Sequence, residues 1–138
     1  MLITKEDIHK VIPQREPMVL IDDLLEQSQT KSVTQFVVPE GHILLDGDEL
    51  SESGLIENIA QSAAAGVGYE FFTSNKPAPV GFIGAVSKLQ IVRRPKVAQR
   101  LETTIEVTHQ LTGITVIQGT SKIDGELVAT CEMKIFLQ

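Results

Sequence analysis

The sequence predicts an α+β domain in which one long helix packs against a single antiparallel sheet. Residues 53–72 are small or apolar almost throughout and have the length of a five-turn helix. Two strand-like segments precede this helix and four follow it, with no second long helix among them. Because a parallel α/β fold needs helices to cover its sheet, an antiparallel sheet curled around the one long helix is the simplest architecture.

The segments before the long helix are predicted from capping residues and from alternation. Thr4 is placed to cap a short helix, and Pro13 ends it. Residues 18–29 then read as a strand, and residues 32–38 as its antiparallel partner. Residues 39–53 have no usable period and are expected to form a long ordered loop, a kind of loop that is usually functional.

The long helix is expected to be buried, because it lacks the polar face of a surface helix. Gly66 and Gly68 each cost a helix about 1 kcal/mol relative to alanine. Their presence is best explained by the close approach of another backbone. A helix enclosed by a sheet, or packed against its twin in a dimer, would meet that condition.

The rest of the chain reads as sheet. Asp124 and Gly125 form a strong two-residue hairpin signal. The order of helix, two strands, loop, long helix and four strands predicts the hotdog fold, as one domain over residues 1–138. The four later strands are expected at residues 80–92, 101–110, 114–122 and 127–137.

Composition narrows the classes of function. The chain is 42% hydrophobic and 22% charged, and its net charge of −6 argues against nucleic acid or an anionic membrane as partner. No stretch approaches the roughly 18 apolar residues that span a bilayer. The lone Cys131 cannot form an internal disulfide, which favours a cytoplasmic location. We expect this cysteine to be a packing residue rather than a nucleophile.

Glu57 is the first candidate for chemistry, because a carboxylate in a buried helix is rarely without a partner or a function. Gln61 shares its face at i+4. His42 lies in the loop, fifteen positions earlier. A histidine that takes a proton from carbon and an acid that protonates a departing hydroxyl together perform an elimination. Glu57 could instead be structural, and the loop offers other acidic residues in place of His42, namely Asp46, Asp48 and Glu49.

Other chemistry finds little support in the sequence. There is no nucleophile-elbow motif, no phosphate-binding glycine motif and no Cys/His spacing for zinc, so we expect neither a metal nor a cofactor. Five of the twelve basic residues fall within thirteen positions, which is either a solvated strand end or a binding surface. We call them the basic run: Lys88, Arg93, Arg94, Lys96 and Arg100.

Three motifs in this order resemble the 3-hydroxyacyl-acyl-carrier-protein dehydratases of type II fatty acid synthesis (FabZ-like), over about residues 8–136. Residues 12–22, I-P-Q-R-E-P-M-V-L-I-D, are similar to the family's L-P-H-R-x-P-x-L-L-V-D. Residues 55–61, L-I-E-N-I-A-Q, are similar to its L-I-x-E-x-x-A-Q. Residues 82–95 resemble its central strand, which ends in R-P. The family's G-H-F-P-G loop is altered here to G-H-I-L-L-D-G, which suggests a divergent branch such as the dehydratase-like proteins of polyene pigment pathways.

The resemblance implies a homodimer, or a larger assembly, with active sites between two subunits. Glu57 would be the catalytic acid, and His42 the catalytic base supplied by the other subunit. The N–H of Gly54 would hold the thioester carbonyl, with Gln61 as a second substrate-binding residue. The basic run would face the acyl carrier protein.

The sequence therefore predicts a dehydratase that acts on 3-hydroxyacyl groups carried by acyl carrier protein. Two alternatives remain. One is a hotdog acyl thioesterase in which Asp46 or Glu57 activates water. The other is a non-catalytic acyl-binding or partner subunit.

Overall fold

The structure, a computed structural model, describes residues 1–137 and confirms the predicted α+β hotdog architecture. One helix, α1 (Glu52–Thr73), packs against a six-stranded antiparallel sheet. The elements in chain order are a 3₁₀ helix (Lys5–Lys10), β1 (Asp23–Gln27), β2 (Lys31–Val37), β3 (Leu45–Asp46), β4 (Glu49–Leu50), α1, β5 (Gly81–Ile91), β6 (Arg100–Leu111), β7 (Ile114–Ile123) and β8 (Glu126–Leu137). The strand order in the sheet is β1-β2-β6-β7-β8-β5, which leaves β5 at one edge.

The long helix is buried, as its composition predicts. It extends one residue beyond the predicted range at each end and begins after Ser51. Leu55 and Ile59 are both fully buried and pack in two separate hydrophobic clusters. Burial of apolar side chains along the helix therefore accounts for its place inside the curved sheet.

The close backbone approach that the helix glycines predict is found at Gly68. A methyl group there would overlap the main-chain carbonyl of Val11, which follows the 3₁₀ helix. At Gly66 the nearest neighbour is instead the side chain of Ser32 in β2. Glycine at position 68 thus lets the N-terminal segment lie directly on α1.

Some local expectations differ from the structure. Thr4 occupies the cap position, but its hydroxyl makes no capping bond and the helix is 3₁₀. The strand expected over residues 18–29 begins only at Asp23, because side chains of α1 bind the main chain of residues 18–20. The loop of residues 39–53 contains the short β3–β4 hairpin.

Cys131 is fully buried in β8, as expected of a packing residue. Burial raises the pKa of its thiol to about 11, since desolvation disfavours the thiolate. In the described part of the chain, no helix combines the length and apolar character needed to cross a membrane.

Replacing Gly68 with alanine tests the contact between α1 and Val11. Alanine is favoured by about 1 kcal/mol in a helix interior, yet the overlap with a main-chain carbonyl cannot be relieved by side-chain rotation. We expect urea denaturation to show Gly68→Ala less stable by about 1–3 kcal/mol. Gly66→Ala is the matched control and should cost less, because the Ser32 hydroxyl can turn away. A Gly68→Ala protein as stable as the wild type would contradict this packing.

Candidate active site

Glu57 lies at a cavity of about 170 Å³ between α1 and the edge strand β5. Its side chain is half-buried, and Oε2 accepts a hydrogen bond of 3.0 Å from Nε2 of Gln61. Within residues 1–137, Oε1 forms no hydrogen bond. The cavity wall is largely apolar and includes Val11, Ala60, Ala64, Val67, Phe82 and Ile83. A carboxyl group with one oxygen held and one free thus faces a space suited to a hydrocarbon chain.

Gln61 is fully buried, and both its amide oxygen and its amide nitrogen are hydrogen-bonded. Oε1 accepts from the N–H of Leu20 at 2.7 Å, and Nε2 donates to the carbonyl of Met18 at 2.7 Å as well as to Glu57. Both N–H donors of the amide are thereby used. Gln61 is brought to Glu57 as the i+4 spacing predicts, but it offers no free donor to a substrate in this arrangement.

His42 also has both ring nitrogens engaged. Nδ1 accepts from the N–H of Leu44 at 3.1 Å, so the proton of the neutral ring lies on Nε2, which donates to the carbonyl of Val19 at 3.0 Å. The edge of the ring meets Phe36, with 6.1 Å between ring centroids. His42 is therefore a well-ordered, half-buried side chain with no free lone pair on either nitrogen.

His42 and Glu57 line different cavities within one chain. The cavity beside His42 measures about 280 Å³ and includes Lys5, Glu16 and Asp22. Burial raises the pKa of Asp22, although a hydrogen bond from the Val37 N–H opposes this shift. The predicted pairing of His42 with Glu57 is thus not formed inside one subunit, and the resemblance places it between two.

The N–H of Gly54 is not free to hold a thioester carbonyl. It donates to the hydroxyl of Ser51 at 3.1 Å and so completes the cap of α1. Gly54 is buried against Leu50 and does not line the Glu57 cavity. The predicted substrate-binding role would require this cap to open.

The basic run is largely neutralised by acidic partners. Lys88 pairs with Glu132 at 3.5 Å, and Arg93 pairs with Glu126 at 3.6 Å. Arg94 binds two carboxylates of the β3–β4 hairpin, Asp46 at 3.0 Å and Glu49 at 3.1 Å. Among the described residues, Lys96 and Arg100 have no such partner. The surface is therefore less cationic than the sequence suggests, and Asp46 is part of an exposed ion pair.

Gln14 is a site residue that the sequence did not single out. It lines the Glu57 cavity, and its Oε1 is buried without a hydrogen-bond partner in the described chain. Such an atom costs about 1–3 kcal/mol unless a ligand or water donates to it. The available signal was that Gln14, directly after Pro13, stands where the similar L-P-H-R motif has a histidine.

The buried helix, the curved sheet and a carboxylate at an apolar cavity define a hotdog protein with an acyl-binding type of site. The family model of ApeP-like proteins, described as ApeP dehydratase, matches residues 6–138. The chain belongs to this ApeP-like dehydratase family.

Two solved structures and one sequence relative are similar to the chain. The 3-hydroxyacyl-[acyl-carrier-protein] dehydratase FabZ of a Nitratiruptor species is 27% identical over 144 residues, 95% of each protein. The dehydratase heterocomplex ApeI:P of Xenorhabdus doucetiae matches with a TM-score of 0.86 at 17% identity, over 95% of this chain and 90% of that one. A mutant of a hypothetical thioesterase of Streptococcus pneumoniae matches with a TM-score of 0.67 at 15% identity, over 84% and 89%. The two structural matches support the fold.

Proposed function

We propose that this protein is a dehydratase that removes water from 3-hydroxyacyl groups carried as thioesters on acyl carrier protein. The observation that carries the proposal is Glu57, a half-buried carboxyl with one oxygen fixed by Gln61 and the other free beside an apolar cavity. Family membership and the similarity to a FabZ protein support the same reaction.

The proposed reaction needs one base and one acid on the same substrate. The base takes a proton from carbon 2 of the acyl chain, and that electron pair forms the double bond to carbon 3. The bond from carbon 3 to its hydroxyl oxygen breaks while Glu57, as the neutral acid, protonates the leaving oxygen to give water. The base is then protonated and Glu57 is ionised, and transfer of one proton between them restores both.

His42 is the proposed base, and its hydrogen bonds define what must change before it can act. Nδ1 is occupied by the Leu44 N–H, while Nε2 carries the proton given to Val19. Because Nε2 already carries a proton, only Nδ1 can accept one from carbon, and it must first lose its bond from the Leu44 N–H. A neutral hydrogen bond contributes about 0.5–1.5 kcal/mol net, so substrate contacts are sufficient to drive the exchange.

A homodimer through β5 completes the proposal. β5 lies at the edge of the sheet with exposed apolar side chains such as Phe82, Ile83 and Val86. Edges of this kind associate with another strand unless they are protected. Because Phe82 and Ile83 also line the Glu57 cavity, a second subunit on this edge would close it. A cytoplasmic location is part of the same proposal.

A second candidate function is a partner subunit that does not use its own histidine. The two hydrogen bonds of the His42 ring favour this possibility, because they leave the chain with an acid but no free base. The similar Xenorhabdus doucetiae structure is a heterocomplex. Activity that appears only after addition of a second hotdog subunit would identify this role.

Release of free thiol would instead identify a thioesterase, for which Glu57 is the remaining candidate, since Asp46 is paired with Arg94.

Contact with the carrier protein is proposed at Lys96 and Arg100, the two members of the basic run that form no ion pair within residues 1–137. Acyl carrier proteins are acidic, so unpaired cations would attract them. The pairing of Arg94 with Asp46 and Glu49 gives it a structural role in holding the β3–β4 hairpin.

Glu57→Gln tests the proposed acid. We expect hydration of a crotonyl thioester, the reverse reaction, to fall at least about 100-fold, because in this direction Glu57 must take a proton from the attacking water, which an amide cannot do. Circular dichroism should show an unchanged fold. Glu52→Gln, an exposed substitution in the first turn of the same helix, is the control and should keep full activity. Undiminished activity of Glu57→Gln would remove this residue from the mechanism.

Ala64→Phe tests whether the cavity receives the acyl chain. Ala64 is seven residues from Glu57, or about 10 Å along the helix axis, so a bulky side chain there should block long chains only. We expect kcat/KM to fall about tenfold or more for a 3-hydroxydecanoyl thioester and little for the 3-hydroxybutanoyl one. Ala64→Ser is the control of nearly native volume. Equal losses for both substrates would place the acyl chain elsewhere.

The double substitution Lys96→Glu and Arg100→Glu tests the carrier surface. We expect a several-fold higher KM for acyl-carrier-protein substrates, with no change for the same acyl group on pantetheine, because only the protein carrier meets the surface charge. Lys31→Glu is the control, since β2 places Lys31 about 20 Å from the strand position that pairs with Arg100. An equal KM increase with pantetheine substrates would contradict docking at this surface.

A further inference from the structure

We propose that Asn58 is a positioning residue: through the main chain of residues 18–20 it holds Glu57 at one active site of the proposed dimer and His42 at the other. This inference rests on the proposed function, because each group meets its catalytic partner from the other subunit and must be placed correctly within its own chain. Asn58 itself is fully buried and touches neither cavity, so it acts only through what it holds.

The main chain of residues 18–20 is bound from two directions. From α1, Gln61 binds Met18 and Leu20 as described above, and Nδ2 of Asn58 donates to the Leu20 carbonyl at 2.8 Å. From the loop, Nε2 of His42 donates to the Val19 carbonyl at 3.0 Å. The only other recorded partner of the Gln61 amide in the described chain is Glu57. One short segment of main chain therefore connects the proposed acid of one active site to the proposed base of the other.

Asn58 is itself fixed by a buried polar network in the sheet. Its Oδ1 accepts from the Thr103 hydroxyl at 2.6 Å, and that hydroxyl lies 2.8 Å from the Ser121 hydroxyl. The Leu20 carbonyl can only accept, so Nδ2 of Asn58 must face it, and the network sets the orientation of the amide. All three side chains are buried, where satisfied networks are rigid.

The consequence is that β6 and β7 help to set the geometry of the site. A shift of residues 18–20 would move the carbonyl that orients His42 and, through Gln61, the oxygen of Glu57. Misplacement by about 1 Å can reduce a rate about a hundredfold. A positioning role predicts a loss in kcat with little change in KM, since the cavity that binds the acyl chain is untouched.

Asn58→Ala and Thr103→Val test the inference in two steps. Thr103→Val keeps the side-chain shape and removes only the hydroxyl that holds Asn58, so it stays useful if Asn58→Ala fails to fold. We expect both to lower kcat about tenfold to a hundredfold with KM within twofold of wild type. Thr104→Val, the same change at the next residue of β6, makes no contact with Asn58 and should leave kcat unchanged.

Nitrogen-15 NMR of the histidine rings gives a readout that a purely structural role would not move. The chain has three histidines, and the exposed His9 and His109 serve as internal references. Both variants should shift the His42 ring signals, while Thr104→Val should leave them in place. This measurement does not require turnover.

The possible results separate the inference from the proposed function. If Glu57→Gln is inactive while folded Asn58→Ala and Thr103→Val keep wild-type kcat and His42 signals, the positioning role is refuted and the dehydratase proposal stands. The role is also refuted if kcat falls only in proportion to the folded fraction. If Glu57→Gln stays active, the proposed function fails. Unchanged His42 signals in Thr103→Val would in addition overturn the coupling between Asn58 and His42.

Discussion

The site depends on one constraint, which is that the buried and half-buried main-chain groups of residues 18–20 must be hydrogen-bonded although no strand pairs with them. A buried amide or carbonyl left without a partner costs about 1–3 kcal/mol. Gln61 and Asn58 supply those partners from α1, and both are fully buried. The need for these bonds explains why the helix buries two amides. It also fixes how the N-terminal segment crosses the helix, which Gly68 then permits by having no side chain.

The order and type of elements could be predicted from the sequence because they depend on local patterns. Alternation identified the strands, and Asp124 and Gly125 marked a turn in which both residues have positive φ, 49° and 79°. The β3–β4 hairpin and the late start of β1 could not be predicted in this way. Each is decided by partners distant in sequence, Arg94 for the hairpin and α1 for residues 18–20.

The candidate site was predictable in its residue types but not in its connections. Glu57 was identified from its position in a buried helix, and its bond to Gln61 follows from i+4 spacing. The partners of His42 come from Leu44 and Val19, and only the folded loop brings Val19 to the ring. Likewise, the basic run was visible as a cluster of cations, whereas its acidic partners lie on β8, the β7–β8 hairpin and β3–β4. A count of basic residues along the sequence therefore does not show which of them form ion pairs with acidic residues on other strands.

Glu57 and His42 differ in whether each must lose a hydrogen bond before it can react as proposed. This difference determines which hydrogen bond controls the site. In the proposed mechanism Glu57 gives its proton from Oε1, which no group within residues 1–137 binds, while Gln61 continues to hold Oε2. His42 must first exchange a hydrogen bond, and the bond to Val19 lies on the same segment that Gln61 and Asn58 immobilise. Because Nε2 carries the proton and Nδ1 the lone pair, the bond that must break is the one from the Leu44 N–H to Nδ1. Activation of the proposed base is therefore expected to begin in the loop, whereas the proposed acid and its cavity are already in place beside the helix.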